Sequence, residues 1–384
     1  MEEKLWKACE DGKVEEVRKL LQNEQININW QDSQYSATPF FLACQNRHVE
    51  IVKILLNDKR VDINKPTNNG ATPFFIACEF GHIEIVKLLL NDKRVDINKA
   101  KNDGATPFFI ACQKGHIEIV KLLLNDSRVD ITKATNDDAT PFFIACQCGH
   151  IDIVKLLLND KRVDINKAEN DGATPFYIAC QNRHVEIVKL LLNDKRVDIN
   201  QAQNDGATPF YIACQNGDIE IVKLLLNDSR VDINKATNDD ATPFFIVCQK
   251  GYIEIVKLLL NDERVDFKKL LKTGETPFLI ACYKGNLEVV KYLLACGREI
   301  DINKKDNDGK TGLDWARQRS TSTQKFDNET EEQFQKKKSN CPKIVELIES
   351  LQRNPIEIRA KLKKELAFCK YFNSLMVMNL MKIY

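Results

Sequence analysis

Residues 144–150 read Ile-Ala-Cys-Gln-Cys-Gly-His, which sets Cys146, Cys148 and His150 within one short segment. Two thiolates and an imidazole are zinc ligands, and two neighbouring cysteines are also the raw material of thiol redox chemistry. Whether that chemistry is available depends on the elements that hold the three side chains, and the rest of the chain decides it.

The same residue types recur along the chain. Thr-Pro-Phe begins at Thr38, Thr72, Thr106, Thr140, Thr174, Thr208, Thr242 and Thr276, a period of 34, and a degenerate Thr311-Gly312-Leu313 follows 35 residues later. Nine cysteines fill one slot of this period: Cys44, Cys78, Cys112, Cys146, Cys180, Cys214, Cys248, Cys282, and Cys9 in a divergent first copy. All five histidines (His48, His82, His116, His150 and His184) fill another slot, four residues on. Such self-similarity marks a repeat array. Stacked helices lie about 8–10 Å apart, whereas zinc ligands lie about 2.0–2.3 Å from their ion. Equivalent side chains of neighbouring copies therefore do not share a metal. The Cys146 slot reads instead as a place for a small apolar side chain at a close helix contact, which a thiol suits. Cys148 occupies a variable slot, held elsewhere by Lys114, Asn182 and Lys250, and is expected at the surface.

Residues 102–135 show how one unit is built. Asn102-Asp103-Gly104 is a turn, Thr106 supplies a helix cap, and Pro107 takes the first helical position. A short helix follows and Gly115 ends it. A second helix is expected from about Ile117 to Leu124, with Ile117, Ile119, Val120, Leu122, Leu123 and Leu124 apolar and Glu118 paired with Lys121. A helix so broadly apolar needs cover on two sides, which stacking supplies.

These residues resemble the ankyrin repeat. "TPFFIA" is similar to the family's T-P-L-H-x-A, Gly115-His116 to its Gly-His, "IVKLLL" to its V-V-x-L-L helix and "VDIN" at 95–98 to its D-V-N turn. The likeness covers roughly residues 1–318. It departs at the family's turn histidine, which is Phe75, Phe109 or Tyr177 here, and at the link after the second helix, which is one residue longer. Asp138 and Asp240 replace a turn glycine, which Asp tolerates at positive φ better than most residues. The resemblance implies an all-α fold, an ankyrin-repeat solenoid of stacked helix–turn–helix units with short hairpin-like turns, capped at both ends.

The ends differ from the middle. Residues 1–37 read as an N-terminal capping repeat, because Glu16 and Lys19 stand opposite Ile51 and Ile54 of the next copy. Eight repeats are assigned to 38–306. Residues 307–352 read as a split C-terminal capping repeat, in which Glu349 replaces a buried Leu and a disordered polar insertion runs at about 319–340. Residues 353–384 read as a basic helical tail, with Asn354 capping, Pro355 at the first position, and Ile358, Leu362, Leu366 and Cys369 on one face.

Composition narrows the function. The formal net charge is +1 over 384 residues, so no overall polyanion-binding character exists. The charge is segregated: residues 316–384 carry 14 Lys and Arg against 8 Asp and Glu, a net +6, which leaves −5 on residues 1–315. The first residues, "MEEKLWKACEDG", lack a basic start followed by an apolar run, and no apolar stretch reaches the roughly 18 residues needed to span a bilayer. The 13 cysteines are expected to stay thiols in a cytoplasmic chain. H-E-x-x-H, G-x-S-x-G and P-loop motifs are absent from the sequence. The expectation is a non-catalytic, monomeric adaptor with no cofactor and no small-molecule substrate. It binds a protein partner through the extended concave face that stacked repeats present, as the resemblance implies.

Partner choice belongs in slots that vary between copies. One holds Phe80, Lys114, Cys148, Lys250 and Lys284; the turn slot holds Lys101 and Leu271. Phe80, Tyr283 and Leu271 are the expected anchors. Ser320, Thr321, Ser322 and Thr323 follow Arg317 and Arg319 and are candidate phosphorylation sites. The alternative reading tethers the adaptor through its basic tail to an anionic membrane or nucleic acid, and a thiol or metal activity at Cys146, Cys148 and His150 ranks last.

Overall fold

The repeating Thr-Pro sets every copy's first helix. The hydroxyl oxygen of Thr106 accepts the Phe109 N–H at 3.1 Å, and the other seven threonines of this slot cap in the same way. Each cap contributes about 1 kcal/mol. Gly115, at φ 76°, turns the chain out of that helix. His116 opens the next one and sets its ring Nε2 2.9 Å from Glu79 O of the preceding copy.

The computed structural model describes residues 1–325 and 329–366, which fall into two compact units, Met1–Asp198 and Ile199–Tyr384. The first holds α1 (Glu2–Asp11) and α2 (Val14–Leu21), then α3 (Pro39–Gln45) with α4 (Val49–Asn57) and α5 (Pro73–Glu79) with α6 (Ile83–Leu90). It continues with α7 (Pro107–Lys114) and α8 (Ile117–Leu124), α9 (Pro141–Cys148) and α10 (Ile151–Leu158), and α11 (Pro175–Gln181) and α12 (Val185–Leu192). The second unit holds α13 (Pro209–Asn216) with α14 (Ile219–Leu226), α15 (Pro243–Lys250) with α16 (Ile253–Leu260) and α17 (Pro277–Tyr283) with α18 (Leu287–Ala295). It ends with α19 (Gly312–Thr321), α20 (Glu331–Arg353) and α21 (Pro355–Glu365). Among the described residues all regular structure is helical.

Within each unit, first helices pack on first helices and second on second, as α7 does on α5 and α9. The core is the same in every layer: Phe108, Phe109, Ile110, Ala111 and Cys112 from the first helix, and Ile119, Val120 and Leu123 from the second. The second helix coincides with the expected span, but Ile117, Leu122 and Leu124 are half-buried. Cover comes to one face rather than to the whole apolar surface. Glu16 and Lys19 on α2 face water, as a capping helix requires. Asp138 and Asp240 do adopt positive φ, 65° each.

The disordered insertion expected at about 319–340 is corrected by the structure for the described residues, 326–328 lying outside them. Ser320 and Thr321 end α19, and residues 331–340 open the 23-residue α20. Two features organise the segment. Thr330 and Gln333 form a capping box at the start of α20. Arg319, 3% exposed, pairs with Glu329 at 2.7 Å while its guanidinium lies 4.8 Å from the Phe334 ring centroid. Polarity masked these contacts, because a buried aromatic and the ion pairs of Glu329 with Arg319 and Lys337 do the ordering that a periodic apolar face does elsewhere. Pro342 lies inside α20. Glu349 is half-exposed and pairs with Arg317 at 2.6 Å. On α21, Leu362 is buried and Ile358 and Leu366 are half-buried, while Glu365 reaches Lys291 of α18 at 2.7 Å. Cys369 lies outside the described residues.

Candidate functional site

Cys146, Cys148 and His150 are held by the end of α9 and the start of α10, and they do not converge. Cys146 is in the core, and burial pushes its thiol far above the ordinary range. Cys148 is exposed on the last turn of α9, its thiol raised by partial burial and lowered by nearby Lys114. The His150 ring Nε2 lies 2.9 Å from Gln113 O of the copy before. Among the described residues no group of three His, Cys, Asp or Glu is placed to hold a metal ion. The three side chains thus do a core residue's, a surface residue's and an inter-copy contact's work.

The partner slots of the first unit are open. Phe80 ends α5 with 51% of its surface exposed, and its ring stacks on His82 with centroids 5.9 Å apart. Lys114 and Cys148 occupy the same slot in the next two copies and are exposed. Asn46 and Asn182 in this slot instead donate to Glu10 O and Gln147 O, at 3.1 and 2.9 Å. The slot is therefore structural in some copies and free to vary in others. Lys101 is half-buried in its turn, 5.4 Å from the Phe75 ring centroid and 3.5 Å from Asp103.

In the second unit the slots are used differently. Lys250 is exposed, and Leu271 is half-buried in a turn that its own backbone closes with Glu275 and Gly274. Tyr283 packs on Trp315 of α19 with ring centroids 4.6 Å apart, so this expected anchor already has an intramolecular partner. Trp315 in turn donates from Nε1 to the Asp306 carboxylate at 2.6 Å. Lys284 is half-buried, and burial brings its ammonium down to about 8, with Glu329 opposing the fall and Lys337 and Arg319 adding to it. The hydroxyls of Ser320 and Thr321 donate to Arg317 O and Gln318 O, at 2.6 and 3.0 Å, within the last turn of α19. Ser322 and Thr323 follow in the link to α20.

A third feature emerges only in three dimensions. Below the helices, one asparagine per copy bridges to the next: Asn98 donates from Nδ2 to Arg128 O at 2.7 Å and accepts the Asp130 N–H on Oδ1 at 2.9 Å. Asn29, Asn64, Asn166, Asn200 and Asn234 make the same two bonds, at 2.7–2.9 Å. Thr132 and Lys268 hold this slot in the remaining internal copies, and a cleft lies at each. The cleft beside Lys268 measures about 530 Å³, floored by Phe244, Phe278 and Leu293 and edged by Phe267, Leu270 and Ile300. The cleft beside Thr132 measures about 250 Å³. Reading the slot down the copies would have exposed both breaks, but a surface asparagine in a turn carries no mark of the bond it makes.

The geometry of capped first helix, glycine turn, second helix and hydrogen-bonded hairpin link is that of one family. A family model for ankyrin repeats, three copies at a time, matches overlapping segments that run from residue 5 to residue 324. No curated protein matches the chain. With most of its length matched by that model and its helix pairs stacked in register, the chain belongs to the ankyrin-repeat proteins.

Proposed function

We propose that this protein is a non-catalytic scaffold that binds a partner protein through the face formed by its first helices and turn tips. Ankyrin repeats are in general protein-protein interaction modules, and their fold is typically a non-enzymatic one. The observation that carries the reading is Phe80: an aromatic ring half exposed at a helix end, in a slot where neighbouring copies carry Asn, Lys and Cys. Exposed aromatics are the usual anchors of an interface. Lys101, Lys114 and Cys148 hold the variable slots of the following copies in the first unit, and Lys250 and Leu271 offer a second set in the other. Tyr283 and Lys284 contribute through the capping helices rather than directly.

A photo-crosslinker placed at Lys114 tests this. It captures a discrete partner, the same group at Lys121 on the second helix does not, and Phe80→Ala abolishes the capture. Equal capture from both positions, or capture unaffected by Phe80→Ala, overturns the proposal.

A second reading places the tail against an anionic membrane. What favours it is the exposed row Arg359, Lys361, Lys363 and Lys364 on α21. No helix of the described residues is long and apolar enough to cross a membrane, so the contact would be peripheral. Flotation of the full chain with phosphatidylserine vesicles, lost when these four residues become Gln, tests it. Phosphorylation at Ser320 to Thr323 would add about −1.5 to −2 charges per site to the segment 316–384 and weaken the same flotation.

A further inference from the structure

The cleft at Thr132 is defined by what its neighbours do. In six other copies an asparagine amide satisfies two main-chain groups of the following copy at once, an arginine carbonyl and an aspartate N–H. Thr132 reaches neither. Its hydroxyl donates back to the Asp130 carboxylate of its own turn at 2.8 Å. Among the described residues, Arg162 O and the Asp164 N–H consequently have no protein group in the place of that amide. The surroundings have opened as well. Val163 is half-buried, whereas Val129, Val197 and Val231 in the same slot are 5% exposed. The Arg162 guanidinium lies 3.4 Å from Leu124 O, where Arg94, Arg128 and Arg196 make the corresponding contact at 2.8–2.9 Å. The cleft of about 250 Å³ is walled by Ile131, Ala134, Phe142 and Val163, with Thr132 and Lys167 at its edge.

We propose that this cleft is a binding site for a primary carboxamide, the side chain of an asparagine presented by a partner protein. The argument is internal to the molecule: the two main-chain groups lie in the same local turn, with Val163 N–H to Asp160 O at 3.1 Å and Asn166 N–H to Asp164 Oδ1 at 3.0 Å, that presents them to an asparagine amide in six copies, and the apolar walls leave room for its methylene. A carboxamide offers this pair a donor and an acceptor on two separate atoms, whereas a hydroxyl carries both on one oxygen and an ammonium has no acceptor. Lys268 does not create the same site, because the link it faces carries an additional residue at 297–300. The chain also contains its own control. Residues 125–143 recur at 227–245 with a single difference, Thr132 against Asn234, and there Asn234 closes the contact to Arg264 O and Asp266 N–H at 2.7 and 2.8 Å.

The inference deepens the scaffold reading by naming a partner's chemistry, and its test needs no partner. N-acetyl-asparagine methylamide is titrated into the ¹⁵N-labelled full chain while the Asp164 and Val163 amide resonances are followed. Both move saturably, and N-acetyl-valine methylamide leaves them in place. In Thr132→Asn, where the chain supplies the amide itself, apparent affinity falls by at least about tenfold, on the order of one hydrogen bond's worth. In Asn234→Thr the same response appears at Asp266. No movement at Asp164 up to the probe's solubility limit, or equal movement in Thr132→Asn, overturns the site. Either result leaves the scaffold reading standing, since that reading rests on Phe80.

Discussion

A residue's environment, rather than its type, decides what it does in this protein. Nine slot cysteines share one environment, a dry contact between first helices, and Cys148 lies outside it. A thiol-specific reagent under native conditions should therefore modify Cys148 fast and the slot cysteines only as copies open. Because its thiol is raised, the Cys148 rate, followed on its own peptide, should keep climbing above the pH at which an ordinary thiol levels off. Labelling of the Cys146 peptide as fast as that of the Cys148 peptide contradicts this assignment. Glu169, in the turn slot, makes the converse case: burial, with Asp171 and Asp137 adding repulsion, brings its carboxyl up to about 7 from an ordinary 4.5. The folded state then binds the proton more tightly than the unfolded chain. Its relative stability is highest below about 4.5 and declines as pH rises through 7. Glu169→Gln should raise the denaturation midpoint at pH 8 and leave it nearly unchanged at pH 4.5. An equal gain at both pH values would remove the titration as its cause.

At the scale of elements, the eight internal helix pairs were legible in the sequence and the capping helix was not. Thr-Pro caps, glycine breaks and the 34-residue period are local signals, each with a backbone cause that works wherever the motif occurs. α20 carries one such signal, the Thr330–Gln333 capping box, but no apolar period follows it. Its first half, Glu331 to Asn340, is polar in composition, and it is ordered through Phe334 and the Arg319–Glu329 pair, contacts between residues that composition alone assigns to solvent. Phe334→Ala should therefore cost about 3 to 5 kcal/mol locally. Amide protection should be lost over residues 331–341 and new protease cleavage should appear there, while α3 to α12 keep their protection. Unchanged protection in 331–341 would show that the helix forms without this anchor.

For the molecule as a whole, repetition makes stability a sum of layer contacts. Each copy of the first unit packs on its neighbours through the same core residues, so a defect in one layer weakens the adjacent ones first. Leu123, fully buried on α8, is the place to introduce it. Leu123→Ala should cost about 2 to 5 kcal/mol, and hydrogen exchange should accelerate first in α5 to α10. Uniform acceleration from residue 1 to residue 198 would mean that the unit opens only as a whole.

The sequence by itself determined the repeat, its period, the boundaries of most helices and the identity of the core slots. These follow from short-range chemistry repeated many times, so that each copy corroborates the next. Only the tertiary structure decided which face of the second helix is covered, that Tyr283 is taken by Trp315, that Arg319 is buried, and that Thr132 and Lys268 interrupt a line of asparagine bridges. Each of these depends on separate segments meeting in space, Arg319 with Glu329 and Phe334 no less than Tyr283 with Trp315. A turn asparagine that holds the next copy and one that only faces water read alike until its partner carbonyl is in place.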